Sequence, residues 1–310
     1  MTSIVMTGGT AGIGLAAAEL MRQAPDVRLL IGARGQAPDG IETRPLDLGR
    51  LASVRGFADA AGEWLGEAKI DALVLNAGTQ VRDLSQRTED GFETTFAVNH
   101  LAHYLLLRRL SPRLADGAIV AITTSNLHDP KTNPIAAPEH ADAEKLARGQ
   151  VMLSPGVRDR MAAMRAYAAS KLCNVLTARA LAASDLAQAR GWRVVAFNPG
   201  FTPGTQLTRN HGPAFRITFA LLAPILGAFQ RQNTVAGGGA LLADLALARI
   251  AAPAGHFYAS QVKRELTWPS PSELASDDAV MAKLWRDSAA MAGLPVAECP
   301  QSNPGSGGQT

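Results

Sequence analysis

Thr7-Gly8-Gly9-Thr10-Ala11-Gly12-Ile13-Gly14 closes a short apolar run, Ser3 to Thr7, and opens a segment of good helix formers, Leu15 to Met21. The order reads as strand, glycine turn, helix. Glycines let the backbone turn tightly and let a pyrophosphate approach main-chain N–H groups, and the N-terminus of the helix adds a favourable dipole. A glycine-rich turn alone is weak evidence and is compatible with a purely structural bend. Its place at the start of a βαβ pattern is what points to a dinucleotide.

Val27 to Ala33 is a second apolar run, ending in Gly32-Ala33-Arg34. A site for NAD usually carries an acid there for the ribose 2′-hydroxyl, whereas a guanidinium suits the 2′-phosphate of NADP. The alternative is a solvated arginine at a strand end. Ile41 to Asp47 contains Pro45, which cannot donate to a ladder and so belongs on a sheet edge. An edge third strand fits the order 3-2-1-4-5-6. Asp47-Leu48 precedes a helix from about Arg50 to Glu67, so Asp47 either contacts the adenine or favours the helix dipole. Ile70 to Leu75 is a buried-type strand leading into Asn76-Ala77-Gly78, whose small residues leave room for a cofactor. Helical spacing from about Asp90 to Leu114 encloses Asn99, which by propensity is either solvated or has a task for its amide. Ala118 to Thr123 and Trp192 to Phe197 are the fifth and sixth strands, and Gly255 to Ala259 is a last short one. The expected fold is α/β, one doubly wound parallel sheet of about seven strands with helices on both faces.

Tyr167-Ala168-Ala169-Ser170-Lys171 places a phenol and an ammonium at i and i+4 of a helix, on one face, where the charge favours the ionised phenol. A surface helix with a chance Tyr and Lys is the bland alternative; the company of the other motifs overrides it. Thr124 and Ser125 end the fifth strand and face the cleft, as candidate donors to a substrate oxygen. Cys173 turns to another face and reads as core, while Asn174 shares the Tyr167 face and is placed to brace Lys171. The irregular, proline-broken stretch 126–166 and the segment 201–230 read as substrate-covering insertions. Within the latter, Ala214 to Phe229 is apolar but too short to span a bilayer, leaving a lid, a membrane-surface contact, a dimer surface or a core helix. Residues 299–310 read as a disordered tail.

The chain has 310 residues, 47% hydrophobic and 18% charged, with a net charge of +3 and no basic block beyond pairs such as Arg108-Arg109, so nucleic acid is not an expected partner. Cys173 and Cys299 lie far apart, which fits a reducing cytoplasm without a structural disulfide. No secretion signal, transmembrane segment or zinc-type ligand cluster is expected, and no metal.

Together, the glycine turn, Asn76-Ala77-Gly78, Asn99, Ser125, Tyr167-x-x-x-Lys171 and Asn198-Pro199-Gly200 resemble the short-chain dehydrogenase/reductase family over residues 3 to about 260. VNHLAHYLLL (Val98 to Leu107) and YAASKLCNVLT (Tyr167 to Thr177) resemble its branch of retinol dehydrogenases and light-dependent protochlorophyllide reductases. TQLTRNHGPAFR (Thr205 to Arg216) and the C-terminal helix resemble the latter in particular, to about Leu294. Those enzymes carry a cysteine directly after the Pro-Gly, where this chain has Phe201, which puts a photochemical role in doubt.

The resemblance implies a single Rossmann domain over 1–298 that binds NADP through Gly8, Thr10, Gly12, Ile13, Gly14, Arg34, Asp47, Leu48, Asn76, Ala77, Gly78, Tyr167, Lys171, Pro199, Gly200 and Thr202. It implies Asn99, Ser125, Tyr167 and Lys171 as catalytic residues, with Tyr167 the general acid, Ser125 a donor to the same oxygen and Asn99 holding a relay water. Lys171 lowers the Tyr167 pKa and binds the nicotinamide ribose. Thr124 competes for the family's serine position; the following His128-Asp129-Pro130 favours Ser125. The expected reaction is hydride transfer between the nicotinamide and a small apolar carbonyl or alcohol. Reduction of a ring double bond and a non-catalytic NADP-binding regulator are the alternatives, and a homo-oligomer is in keeping with the family.

Overall fold

The apolar runs become strands β1 (Thr2–Thr7), β2 (Val27–Ala33), β3 (Glu42–Pro45), β4 (Ile70–Leu75), β5 (Leu114–Thr123), β6 (Arg193–Asn198) and β7 (Tyr258–Val262), all parallel to one another. The computed structural model describes residues 1–35, 40–151, 159–200, 202, 233–263 and 265–295. Its sheet has the order β3-β2-β1-β4-β5-β6-β7-β8, with Pro45 on the edge strand as its missing N–H requires. Among the described residues the sheet has eight strands, seven of which form the expected parallel set. The extra one, β8 (Glu265–Thr267), returns antiparallel to β7 after Lys263 turns the chain at φ +63°, and three residues are too few to show a strand period. The last parallel strand also lies later than Gly255 to Ala259.

Both faces are covered. On one, the helices Gly12–Gln23 and Val235–Ala246 close over Ile4, Met6, Ile31, Val74 and Phe197. On the other, Leu51–Leu65, the helical stretch 94–110 and Asp159–Ala182 cover Val5, Leu30, Leu73, Leu75 and Val120. Strands buried on both faces must be apolar throughout, which is why these runs read as continuous rather than alternating.

Stretch 94–110 is three helical segments: Thr94–Phe96, a π-helical turn Ala97–Leu101 in which Ala102 N–H reaches Ala97 O, and Ala102–Leu110. It starts later than Asp90 because Glu93 caps it, its carboxylate accepting from Thr95 N (2.8 Å) and Phe96 N (2.7 Å). The expected C-terminal helix is broken at Asp277 into Glu273–Ser276 and Asp278–Met291, with Asp277 capping the second piece through Ala279 N and Val280 N. Among the described residues no helix is long and apolar enough to cross a membrane. Phe201 and 203–230, with the apolar Ala214 to Phe229, lie outside the described residues, as do 152–158 of the first insertion and the tail 299–310.

Candidate active site

The carboxyl ends of β1, β4, β5 and β6 bring the motifs together. Gly8, at φ +70°, lies so close to the β4 turn that a Cβ on it would stand 2.6 Å from Ala77 Cα, and one on Gly14 would stand 1.9 Å from Gly8 O. Asn76 Nδ2 donates to Gly8 O (3.0 Å), and Thr123 Oγ1 donates to Asn76 Oδ1 (2.9 Å), tying three strand ends into one floor. The helix beginning at Gly12 has no side-chain cap and no acid in its first turn, so its leading N–H groups are left for another acceptor. Gly12, at φ +56°, has open space where a Cβ would stand. Thr10 is exposed beside it and Ile13 is buried. This is a cradle that fits a dinucleotide pyrophosphate.

Arg34 is exposed at the end of β2, and among the described residues no carboxylate pairs with it. Asp47 is half-buried, its Oδ1 accepting from Gly49 N (2.9 Å), and Leu48 is buried beside it. Asp47 does not cap the following helix, because Leu51 N donates to Asp90 Oδ2 (2.8 Å) instead.

Lys171 is 2% exposed, and its Nζ donates to Thr123 O (3.1 Å) and lies 5.7 Å from the centre of the Tyr167 ring. Among the described residues no carboxylate neutralises it. Burial pushes its pKa down to about 8. The expectation that Lys171 lowers the Tyr167 pKa is corrected: burial dominates and raises the phenol above its ordinary range. Asn174 Nδ2 donates to the same Thr123 carbonyl (3.2 Å), so it braces Lys171 through a shared acceptor. Cys173 is buried in the core, as read.

Asn99 is fully buried in the π-turn, and its amide has a task. Its Nδ2 donates to Thr79 O (2.9 Å) and Ser170 Oγ (3.0 Å), and its Oδ1 accepts from Thr79 N (2.7 Å). Ser170 Oγ donates to Tyr167 O (2.7 Å), so Asn99 links the β4 turn to the Tyr167 helix. Gly78 stands between them, where a Cβ would lie 3.4 Å from both Asn99 Oδ1 and Lys171 Nζ.

Of the two hydroxyls after β5, Thr124 is buried and donates to Lys171 O (2.8 Å), which spends its proton on the helix backbone. Ser125 Oγ accepts from Leu127 N (3.3 Å), and among the described residues no acceptor takes its proton. Directly after β6, Gly200 N donates to Asn198 Oδ1 (2.9 Å), and Thr202 Oγ1 folds back onto Pro199 O (3.3 Å).

Several participants escaped the sequence reading. His128, which the sequence offers only as part of the run after Ser125, donates from Nδ1 to Ser125 O (2.7 Å) and packs edge-on against Tyr258, its ring centre 5.2 Å away. His100 and His103 are buried on the π-turned helix, where burial holds their pKa values down to about 3 and about 4. His100 Nε2 meets Ser288 Oγ (2.8 Å) on the Asp278–Met291 helix. A polar pair, His100-x-x-His103, inside an apolar helix was the available signal. Among the described residues no group of three His, Cys, Asp or Glu side chains is placed to hold a metal.

Comparisons agree with this architecture. The short chain dehydrogenase family model matches residues 2–134. The chain is 31% identical to human retinol dehydrogenase 13, over 94% of this chain and 85% of that protein. It is 31% identical, over 94% of this chain and 92% of the other, to a Streptomyces protein named as a candidate daunorubicin C-13 ketoreductase. Arabidopsis protochlorophyllide reductase A is 30% identical, in a match that spans 70% of this chain and only 59% of that protein. A crystal structure from Mycobacterium Paratuberculosis covers 96% of this chain, and 95% of its own, with a TM-score of 0.64 at 25% identity.

Proposed function

The chain belongs to the short-chain dehydrogenase family of oxidoreductases, and from that premise we propose that it is an NADP-dependent carbonyl reductase or alcohol dehydrogenase acting on a small apolar substrate. Lys171 is the observation that carries this reading. An ammonium buried without a carboxylate costs several kcal/mol, and among the described residues only Thr123 O accepts from it. Its remaining donors suit the ribose hydroxyls of a nicotinamide nucleotide. Arg34, exposed and without a competing carboxylate among the described residues, supports the choice of NADP over NAD.

When bound, the nicotinamide supplies or accepts the hydride. Gly8, Thr10, Gly12, Ile13 and Gly14 would hold its pyrophosphate, and Asn76, Ala77, Gly78, Pro199, Gly200 and Thr202 would line the rest of its site. Asp47 and Leu48 would meet the adenine. Burial keeps Tyr167 a neutral phenol and makes it a weaker acid, and its proton goes to the oxygen of a carbonyl being reduced. Ser125 donates a hydrogen bond to that same oxygen. The Lys171 charge then offsets the negative charge left on the phenol oxygen. Asn99 has spent its amide on Thr79 and Ser170, so a relay water would not be held by its side chain. Likeness to a ketoreductase and a retinol dehydrogenase supports a C=O or CH–OH substrate. The relation to protochlorophyllide reductases offers ring reduction as a second reading, against which Phe201 stands. A cytoplasmic location is in keeping with a free buried thiol at Cys173.

The test is a fluorescence titration with NADPH and with NADH on wild type and on Arg34→Asp, followed by turnover of Tyr167→Phe on aldehydes and ketones. Preference for NADPH that Arg34→Asp abolishes, with binding but at least about a hundredfold less turnover in Tyr167→Phe, is expected. Absence of binding by either nucleotide would sink the reading. Equal binding of both would remove Arg34 from it.

A further inference from the structure

His103 is 2% exposed and sits one turn after Asn99. Its Nδ1 lies 3.0 Å from Asn99 O, and its Nε2 lies 2.9 Å from Thr7 Oγ1. A carbonyl only accepts, so Nδ1 carries the proton and Nε2 is left as an acceptor. The Thr7 hydroxyl must therefore donate to Nε2. That same oxygen accepts from Asn76 N (3.1 Å) and Ala77 N (3.2 Å), so its one proton and both lone pairs are used.

The pattern has one consistent solution. It joins two structures 96 residues apart in sequence, the end of β1 with its glycine turn and the helix that bears Asn99. From Thr7 it runs to the β4 turn through the Asn76 and Ala77 amides. From Asn99 it runs through Ser170 to the backbone of Tyr167. Among the described residues, His103 is the side chain that hydrogen-bonds both ends.

We propose that His103 is a positioning residue that, through this single tautomer, fixes the spacing between the dinucleotide cradle and the Tyr167–Lys171 helix. The inference rests on the NADP reading above and assigns a task to a side chain outside the proposed catalytic set. A bidentate link of this kind decides geometry more than stability. Buried groups on both sides are left unpaired without it, and the two halves of the site are then free to settle at a different separation.

Three substitutions separate this role from that of a satisfied core histidine. His103→Phe fills the space and removes both bonds. His103→Asn keeps a donor near the Nδ1 position, for Asn99 O, and loses Thr7. His103→Gln carries a donor and an acceptor to the reach of Nε2 and is the conservative replacement. For each, NADPH affinity is measured by fluorescence titration without substrate, and Tm is measured with and without saturating NADPH. We expect His103→Phe to weaken NADPH binding by about tenfold or more and to shrink the NADPH-induced rise in Tm, with His103→Gln restoring most of both. His103→Asn should fall between them.

A core-filling role would lower Tm equally with and without NADPH and leave the affinity within about twofold of wild type, which overturns the proposal. Should His103→Phe not fold, the ratio of Kd between His103→Asn and His103→Gln decides. Tighter binding by Gln supports the proposal and equal binding overturns it. Failure of the NADP reading is a different result, because wild type itself would then bind no NADPH.

Discussion

At the scale of single residues, two glycines of one turn make different demands. A Cβ on Gly14 would meet Gly8 O at 1.9 Å and Asn76 Nδ2 at 2.5 Å, whereas one on Gly12 would meet nothing within 4 Å and suffers only from φ +56°. Gly14→Ala must therefore push the first helix off the β4 turn, and is expected to cost about 1–3 kcal/mol and to abolish tight NADPH binding. Gly12→Ala carries a backbone strain of about 1–2 kcal/mol with the packing intact. Urea unfolding of both variants checks this. A Gly14→Ala protein as stable as Gly12→Ala, with NADPH affinity unchanged, would show that the two turns do not touch as described. The residue types of this turn were legible because glycine chemistry is local. Thr7, the neighbour that fastens the turn, reads in the sequence only as the end of a strand, since its partners come from the turn after β4 and from a helix 96 residues on.

At the scale of elements, the helix that carries Asn99 shows how sequence assigns the right parts to the wrong places. Asp90 looks like a helix start, yet its carboxylate takes Leu51 N of another helix, and Glu93 does the capping. Glu93 is 1% exposed, and burial raises its pKa while its two N–H donors oppose the rise. Glu93→Ala leaves two buried amides unpaired, so the expected loss is at the upper end of a cap's range, about 2 kcal/mol, or beyond it. Glu93→Gln retains one acceptor and should recover part of it. Thermal unfolding compares them; a loss under about 0.5 kcal/mol in Glu93→Ala would mean water replaces the carboxylate at the helix start. The π-turn was not legible at all. Propensity flagged Asn99 as out of place, and the physical reason is a fifth residue in the turn, which the side-chain periodicity of so short a stretch cannot reveal.

For the molecule as a whole, the order of the sheet was readable because strands buried on both faces must be apolar throughout and because Pro45 marks an edge. The polar wiring between the layers was not, since each bond joins segments that only the fold brings together. That wiring makes the fold sensitive to acid. His100 and His103 have folded pKa values of about 3 and about 4 against 6.5 in a solvated chain, so between those limits the unfolded chain binds more protons than the folded one. Their contribution is complete above pH 6.5 and is lost as pH falls toward 4 and 3. At pH 5 each histidine is expected to have withdrawn about 2 kcal/mol. His128 and His140, also held down by burial, act in the same direction. Glu93, with its pKa raised, acts in the opposite one and softens the slope. Urea unfolding at pH 7.5 and 5.0 measures the sum, and repeating it with His100→Asn isolates one histidine. The variant is expected to be less stable at pH 7.5, because Ser288 loses its partner, yet to lose less on acidification than wild type. A wild type whose stability is level between those two values would mean that water reaches these histidines in the folded state. The link from the first strand through His103 to the Tyr167 helix would then not be the dry, single-tautomer connection on which the spacing of the site depends.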